Sequence, residues 1–312
     1  MILSLLLIVA PIFILIVLGH GLRRGGIPSF EFWNLNDKLV YWLLFPALLF
    51  DKTSTMNVSG QLLGDFFMVI YPGFAAAFAF ALLAGKFMNF DRPILTSILQ
   101  GSARHNTFIA LAIAERVYGT QGLADATLIV AILVPITNIA VVTSLVTLLR
   151  KEEEGGLYGA IVRDVSRNPF LIAIALGLTV NFLGIGPLPV INEVCQILGA
   201  AALPIVLLCV GANIRVRAMV VSASATVVAI IGKMVIFPLV IILSARMIGM
   251  EPAQALIAVV FGAVPTAAGS YTLARAMGGD APAMAAIVTL QTALAFLSLP
   301  ATLLFAEYIL RL

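Results

Sequence analysis

Charge is the scarcest property of this chain. Only 11% of its 312 residues are Asp, Glu, Lys or Arg, against 62% hydrophobic residues. A water-soluble domain carries about a quarter charged residues, and a chain this poor in charge cannot cover its own apolar surface in water. Cysteine and histidine are also nearly absent. Cys195 and Cys209 lie in apolar surroundings, and no CxxC pair or Cys/His cluster occurs. That excludes a disulfide framework and a metal site. No HExxH, Walker loop or GxSxG is present, and no nucleophile sits beside a base in an apolar span, so the chain does not read as an enzyme and needs no cofactor. The net charge of +3 is spread over short loops without a basic face or tail, which argues against nucleic acid as a partner. No basic residue precedes the first apolar run, and Arg23 and Arg24 follow it, so Met1 to Gly19 read as a spanning helix rather than a secretory signal.

What is present is apolar run after apolar run, with membrane lipid as the solvent. A spanning helix needs about 20 apolar residues. Runs of that order cover 2–22, 38–55, 64–87, 93–118, 125–149, 169–184, 189–213, 219–248, 254–277 and 282–309. The spacing predicts an all-α integral membrane protein of ten transmembrane helices. Alternating the intervening loops between the two sides puts 12 Lys and Arg on one side, including Arg23, Arg24, Arg150, Lys151, Arg163, Arg167 and Arg217, and 4 on the other. By the positive-inside rule the rich side is cytoplasmic, which predicts a cell-membrane protein with both termini outside.

The longest polar stretch, 150–168, divides the chain into halves 1–149 and 169–312 of five helices each. Five is odd, so the halves enter the bilayer from opposite sides, as in an inverted repeat. Sequence order agrees. LLFPALLF (Leu43 to Phe50) in helix 2 is echoed by AALPIVLL (Ala201 to Leu208) in helix 7, and each helix begins near an Asn-acid pair, Asn36-Asp37 and Asn192-Glu193. GSARHNTF (Gly101 to Phe108) in helix 4 is echoed by GAVPTAAG (Gly262 to Gly269) in helix 9, and Pro135 in helix 5 by Pro300 in helix 10.

Paired interruptions in two inverted halves are the strongest sequence pointer to a transport site. In helix 9, Pro265 removes a backbone donor and turns Val264 away from helical geometry, and Thr266 is placed to cap a new half-helix. In helix 4 four consecutive polar residues, Arg104, His105, Asn106 and Thr107, fall near mid-span and cover every face of a helix, so an unwound crossing lining a polar cavity accommodates them better than a helix interface. Two half-helix N-termini, near Asn106-Thr107 and Thr266-Ala267, then face one point, each with free N–H groups and a partial positive charge. With Arg104 beside them they favour a small organic anion such as a carboxylate. Asn106 and Thr107 are candidate donors to it, and Ser270 lies one turn beyond Thr266. Lys233, deep in helix 8, either supports the crossing and attracts the anion or snorkels to the interface. Thr137, Asn138 and Gln291 either hold a sodium ion or bridge helices. His105 titrates in the range of a proton carrier or fills a structural role.

On these segments, together with LNDKLVYWLLFPALLF (Leu35 to Phe50), ARHNTFIALAIAERVYG (Ala103 to Gly119), LPIVLLCVGANI (Leu203 to Ile214) and GAVPTAAGSYTLARAMGGD (Gly262 to Asp280), the chain resembles the auxin efflux carrier family. Its short bacterial members, carriers of malonate and other organic acids, are the nearest in kind. The fold implied is that of bile-acid symporters and sodium/proton antiporters. Helices 1, 2, 6 and 7 form a scaffold, helices 3–5 and 8–10 move as an elevator, and the crossing lies at Asn106 and Pro265; a homodimer is common. Plant members carry a proline at the first crossing that His105-Asn106-Thr107 lacks, so the resemblance implies a small mono- or dicarboxylate rather than auxin. The alternatives on the same scaffold are sodium- or proton-coupled transport or, further off, an anion channel.

Overall fold

The computed structural model describes residues 2–56, 60–149, 166–215 and 223–311. Among them there are helices and connections and no strand. In lipid a backbone cannot leave its N–H and C=O groups to water, and the helix satisfies them within one segment. The elements are α1 (Ile2–Arg24), α2 (Phe30–Leu39) running through a wide π turn (Val40–Leu44) into α3 (Phe45–Thr55), α4 (Gly60–Phe87), α5 (Arg92–Ala103), α6 (Thr107–Leu149), α7 (Pro169–Phe182), α8 (Pro189–Ala212), α9 (Ala223–Ile231) running through a second π turn (Gly232–Ile236) into α10 (Phe237–Met247), α11 (Pro252–Ala263), α12 (Gly269–Met277) and α13 (Ala281–Arg311). Both π turns stand directly before a Phe-Pro pair, Phe45-Pro46 and Phe237-Pro238. Proline lacks a donor and crowds the carbonyl four residues back, and the wider turn gives that carbonyl room.

Six stretches are long and apolar enough to cross a bilayer: Leu3–Arg24, Gly60–Phe87, Arg92–Leu149, Pro189–Ala212, Ala223–Ile248 and Ala281–Arg311. The ten expected spans differ from these six for local reasons. The stretch Arg92–Leu149 contains both a break at 104–106 and a sharp kink at Gly119 (φ 67°, ψ −157°), so the loop expected at 119–124 is a single glycine in a conformation that side chains disfavour. Helix 2 starts eight residues early, on the polar turn Phe30–Asp37, where Ser29 caps it by accepting from the Phe32 N–H. The helices α7 and α11 are apolar but short, at 14 and 12 residues. Four of the basic residues used to orient the chain, Arg150, Lys151, Arg163 and Arg217, and most of the 150–168 connection lie outside the described residues.

Large apolar side chains face outward in stripes, among them Leu3, Leu7, Ile14 and Val17 on α1 and Val190, Ile191, Val194 and Ile197 on α8. Such stripes are costly in water and cost nothing against acyl chains.

Inside, the helices sort into two groups. The first is α1 packed along α8 and α3 packed along α7, with α3 also against α8. Its contacts are very close. A Cβ on Gly211 would sit 1.7 Å from the Ile16 carbonyl oxygen, and one on Gly177 would sit 2.0 Å from Thr53 Oγ1. Lipid provides no hydrophobic drive between helices, so association rests on such small-residue contacts. The second group holds α4, α5 and α9 to α13, with α4 against α10 and α11 against α10 and α13. The helix α6 packs on α5 and α11 of the second group and turns its other side to α1, α3 and α8 of the first.

Two polar clasps close the ends of the α2–α3/α8 pair. At one end the Asn213 amide donates to Asp37 (2.8 Å) and its carbonyl accepts from Arg23 (3.1 Å). At the other, the Asn192 amide donates to Asp51 (3.1 Å) and Ser54 (2.9 Å).

Candidate functional site

The site begins with two half-helices of equal length. Both α5 and α11 have twelve residues and a proline in the first turn, and both end on an extended residue, Arg104 (φ −71°, ψ 150°) and Val264 (φ −67°, ψ 153°). Twelve residues rise about 18 Å, short of the roughly 30 Å hydrocarbon layer. For Val264 the cause is Pro265, which forbids the helical region to the residue before it. The break after Arg104 has no proline; there Asn106 caps the onward helix, its Oδ1 accepting from the N–H groups of Phe108 and Ile109 (3.1 Å each).

The two breaks are bonded to each other. The Asn106 N–H donates to the Pro265 carbonyl (2.8 Å), and the Thr266 hydroxyl donates to the Gly101 carbonyl (2.8 Å). Matching the extended residues pairs His105 with Pro265 and Asn106 with Thr266. Thr266 does not cap a half-helix as expected. Its N–H is taken by Gln291, its hydroxyl points back to α5, and α12 begins three residues later, at Gly269.

Gln291, fully buried on α13, ties the crossing together. Its oxygen accepts from the Thr266 N–H (2.9 Å), and its amide donates to the carbonyls of Gly101 (2.9 Å) and Ala229 (3.2 Å). Of the two roles open to it from sequence, helix bridging is the one its hydrogen bonds serve. Thr137 is buried with its hydroxyl unpartnered, and Asn138 is half-buried.

Lys233 does not snorkel. It sits in the second π turn with 0% exposure, donates from Nζ to the Phe261 carbonyl (2.9 Å) and lies 4.2 Å from the Phe237 ring centroid. Phe261 belongs to the last turn of α11, where carbonyls have no intrahelical partner and carry the negative end of the helix dipole. The bond from Nζ ties the second π turn to the end of α11, next to the break. Among the described residues the ion pairs are Lys52–Asp51 and Arg311–Glu307, so no carboxylate compensates Lys233.

The remaining candidates surround this hub. Arg104 is half-buried, with Nη1 3.5 Å from the Gln100 side-chain oxygen. His105 is buried beside Phe261, and neither ring nitrogen has a partner. Ser270 is buried with its hydroxyl unpartnered, next to the exposed Gly269 that opens α12. Thr107 is half-buried at the start of α6. The Asn106 side-chain amide nitrogen makes no bond among the described residues and stays available as a donor.

A cavity of about 520 Å³ lies between the first helix group and α6. Its walls come from α1, α3, α6 and α8; Asp51, Lys52, Glu115, Arg116 and Gln196 supply the polar part, over a floor of leucine and isoleucine. Ala112 is in its lining, six residues or about 9 Å along α6 from Asn106. Sequence reasoning passed over this cavity and the two clasps. Their signal was Asp37, Asp51 and Asn192, polar residues at the ends of apolar spans, whose partners lie 138 to 176 positions away in the chain.

A multi-pass helical protein with two apolar helices broken and bonded at their breaks, and a cavity between one packed group of helices and α6, belongs to the class of membrane transporters. Residues 5–303 match the family model described as membrane transport protein, so the chain belongs to that family, the one that includes the auxin efflux carriers. No curated protein matches it.

Proposed function

We propose that this chain is a secondary transporter that moves a small organic anion, a carboxylate or dicarboxylate, by elevator-type alternating access. In this reading ten spans form a 5+5 inverted repeat in the cell membrane with both termini outward. The paired close contacts α1–α8 and α3–α7, the paired clasps and the equal half-helices α5 and α11 support the repeat. The first helix group acts as scaffold and the second as the moving body.

One observation carries the proposal. The bonded crossing, Asn106 N–H to Pro265 carbonyl, lies with the N-termini of α6 and α12 and with a fully buried Lys233 that has no carboxylate partner among the described residues. Carrying a charge on a buried amine without a counter-charge costs several kcal/mol, and an anionic substrate at the crossing lowers that cost. Arg104, the Asn106 amide, Thr107 and Ser270 are its contacts. Proton coupling is the second reading, favoured by the two unpartnered nitrogens of buried His105. Sodium coupling is the other reading, with Thr137, Asn138 and Gln291 as the candidate ligands.

The test is a thermal-shift screen of the purified protein against malonate, malate, succinate, acetate and indole-3-acetate. A ligand at 100 times its Kd adds about 2.7 kcal/mol of apparent stability. At least one acid raises the melting temperature of the native protein, and Asn106→Ala and Arg104→Ala abolish the shift while remaining folded and membrane-inserted. An acid that shifts native protein and both variants equally removes the site. Uptake of that acid into proteoliposomes, with and without a pH or sodium gradient, then separates the coupling modes.

A further inference from the structure

The cavity between the first helix group and α6 is faced by two acid–base dipeptides. Asp51-Lys52 ends α3 on the scaffold side, and Glu115-Arg116 lies across from it on α6. Their present bonds are uneven. Asp51 is 1% exposed and held by Asn192 and Gln196, so it is fixed. Lys52 reaches it from the neighbouring position at 3.1 Å, on a flexible stem that remains partly exposed. Arg116 donates from Nε to the Ile8 carbonyl of α1 (3.3 Å) and so latches α6 to the scaffold. Glu115 is exposed and, among the described residues, has no partner.

We infer that Lys52 and Glu115 form the outer gate of this cavity. When the body carrying α6 moves against the scaffold, the Lys52 ammonium leaves Asp51 and pairs with Glu115 across the gap, while Asp51 keeps its amide donors. The exchange swaps one ion pair for another: Glu115 faces water in the present state, and Asp51 is left to its Asn192 and Gln196 amide donors in the other. The new pair bridges the two walls of the cavity. The assignment rests on the proposed motion between the two groups, and it needs no particular substrate.

Ala200, an exposed residue of α8 in the cavity wall, provides the reporter. In a full-length background with Cys195→Ser and Cys209→Ser, Ala200→Cys is labelled in nanodiscs with a membrane-impermeant maleimide. An exposed ion pair is worth about 0.2–1 kcal/mol, or up to about fivefold in population. Lys52→Glu, which sets two acids across the gap, and Glu115→Lys, which sets two bases there, each speed labelling by about two- to fivefold. The exchange Lys52→Glu with Glu115→Lys restores the slow rate. Because Lys52→Glu also crowds Asp51, Glu115→Lys is the independent arm, and both proteins must elute as monodisperse peaks. Unchanged labelling in Glu115→Lys, or failure of the charge exchange to restore slow labelling, overturns the gate. Either result leaves the thermal-shift test of the crossing untouched, so the two readings fail separately.

Discussion

Asn106 has two separable tasks, and its two side-chain atoms divide them. The oxygen caps α6 through Phe108 and Ile109, while the nitrogen is left to donate. Aspartate caps a helix as well as asparagine does, whereas alanine forfeits about 1 kcal/mol. Asn106→Asp therefore keeps the thermal stability of the native protein to within about 0.5 kcal/mol but loses acid-induced stabilisation, because a carboxylate replaces the donor and repels the anion. Asn106→Ala loses both. Equal stabilisation of native protein and Asn106→Asp by the same acid would show that this side chain does not meet the ligand. Gln291 ties three groups of the crossing together. Gln291→Leu strands the Thr266 N–H and removes donors from two carbonyls, at about 1–3 kcal/mol for each group left buried and unpaired. Unfolding in mixed micelles should report a loss of about 2–4 kcal/mol, larger than for any single substitution on the lipid-facing stripes.

At the scale of elements, the helices were legible because their causes are local and apolar. Length, hydropathy and proline position mark most spans to within a few residues, and Pro265 announced the second break by itself. The first break was legible only as four polar residues in an apolar run, since its geometry depends on Asn106 capping and on a bond to a carbonyl 159 positions away. The roles of Thr266 and Gln291 were not legible, because a hydroxyl or an amide in a membrane helix has several possible partners and only the packed crossing selects among them. Close helix approach was likewise hidden, since 25 glycines look alike in sequence. Gly211 and Gly21 make the contrast testable. A Cβ at Gly211 meets the Ile16 backbone at 1.7 Å, whereas one at Gly21 meets nothing within 4 Å. Gly211→Ala pushes α1 from α8 and destabilises by about 1–3 kcal/mol, as overpacking does; Gly21→Ala is neutral or stabilises by up to about 1 kcal/mol through helix propensity. Similar melting temperatures for the two variants would mean that this contact is looser than described.

For the molecule as a whole, the proposed motion of one group against the other needs one of them to be stiff. The pair α2–α3/α8 is fastened at both ends by an Asp–Asn hydrogen bond, and Asn192 and Asn213 are 21 residues apart on one helix, about 31 Å. Charge-assisted bonds of this kind are worth about 1.5–3 kcal/mol, and sites so far apart with no shared partner add independently to within about 0.5 kcal/mol. Asn192→Ala strands Asp51 with only Gln196 and Lys52, and Asn213→Ala parts Asp37 from its link to Arg23. Each variant should lose about 1–3 kcal/mol, and the double variant the sum. If the fastened pair is the static side of the carrier, acid-induced stabilisation, which originates at Asn106 and Pro265 in the other group, survives in all three proteins at its native size once the lower baseline is subtracted. Less-than-additive losses would show that the two clasps unfold as one unit through the helix between them. A diminished acid response would show that the crossing depends on the scaffold's ends, and the division of labour between the two groups would have to be redrawn.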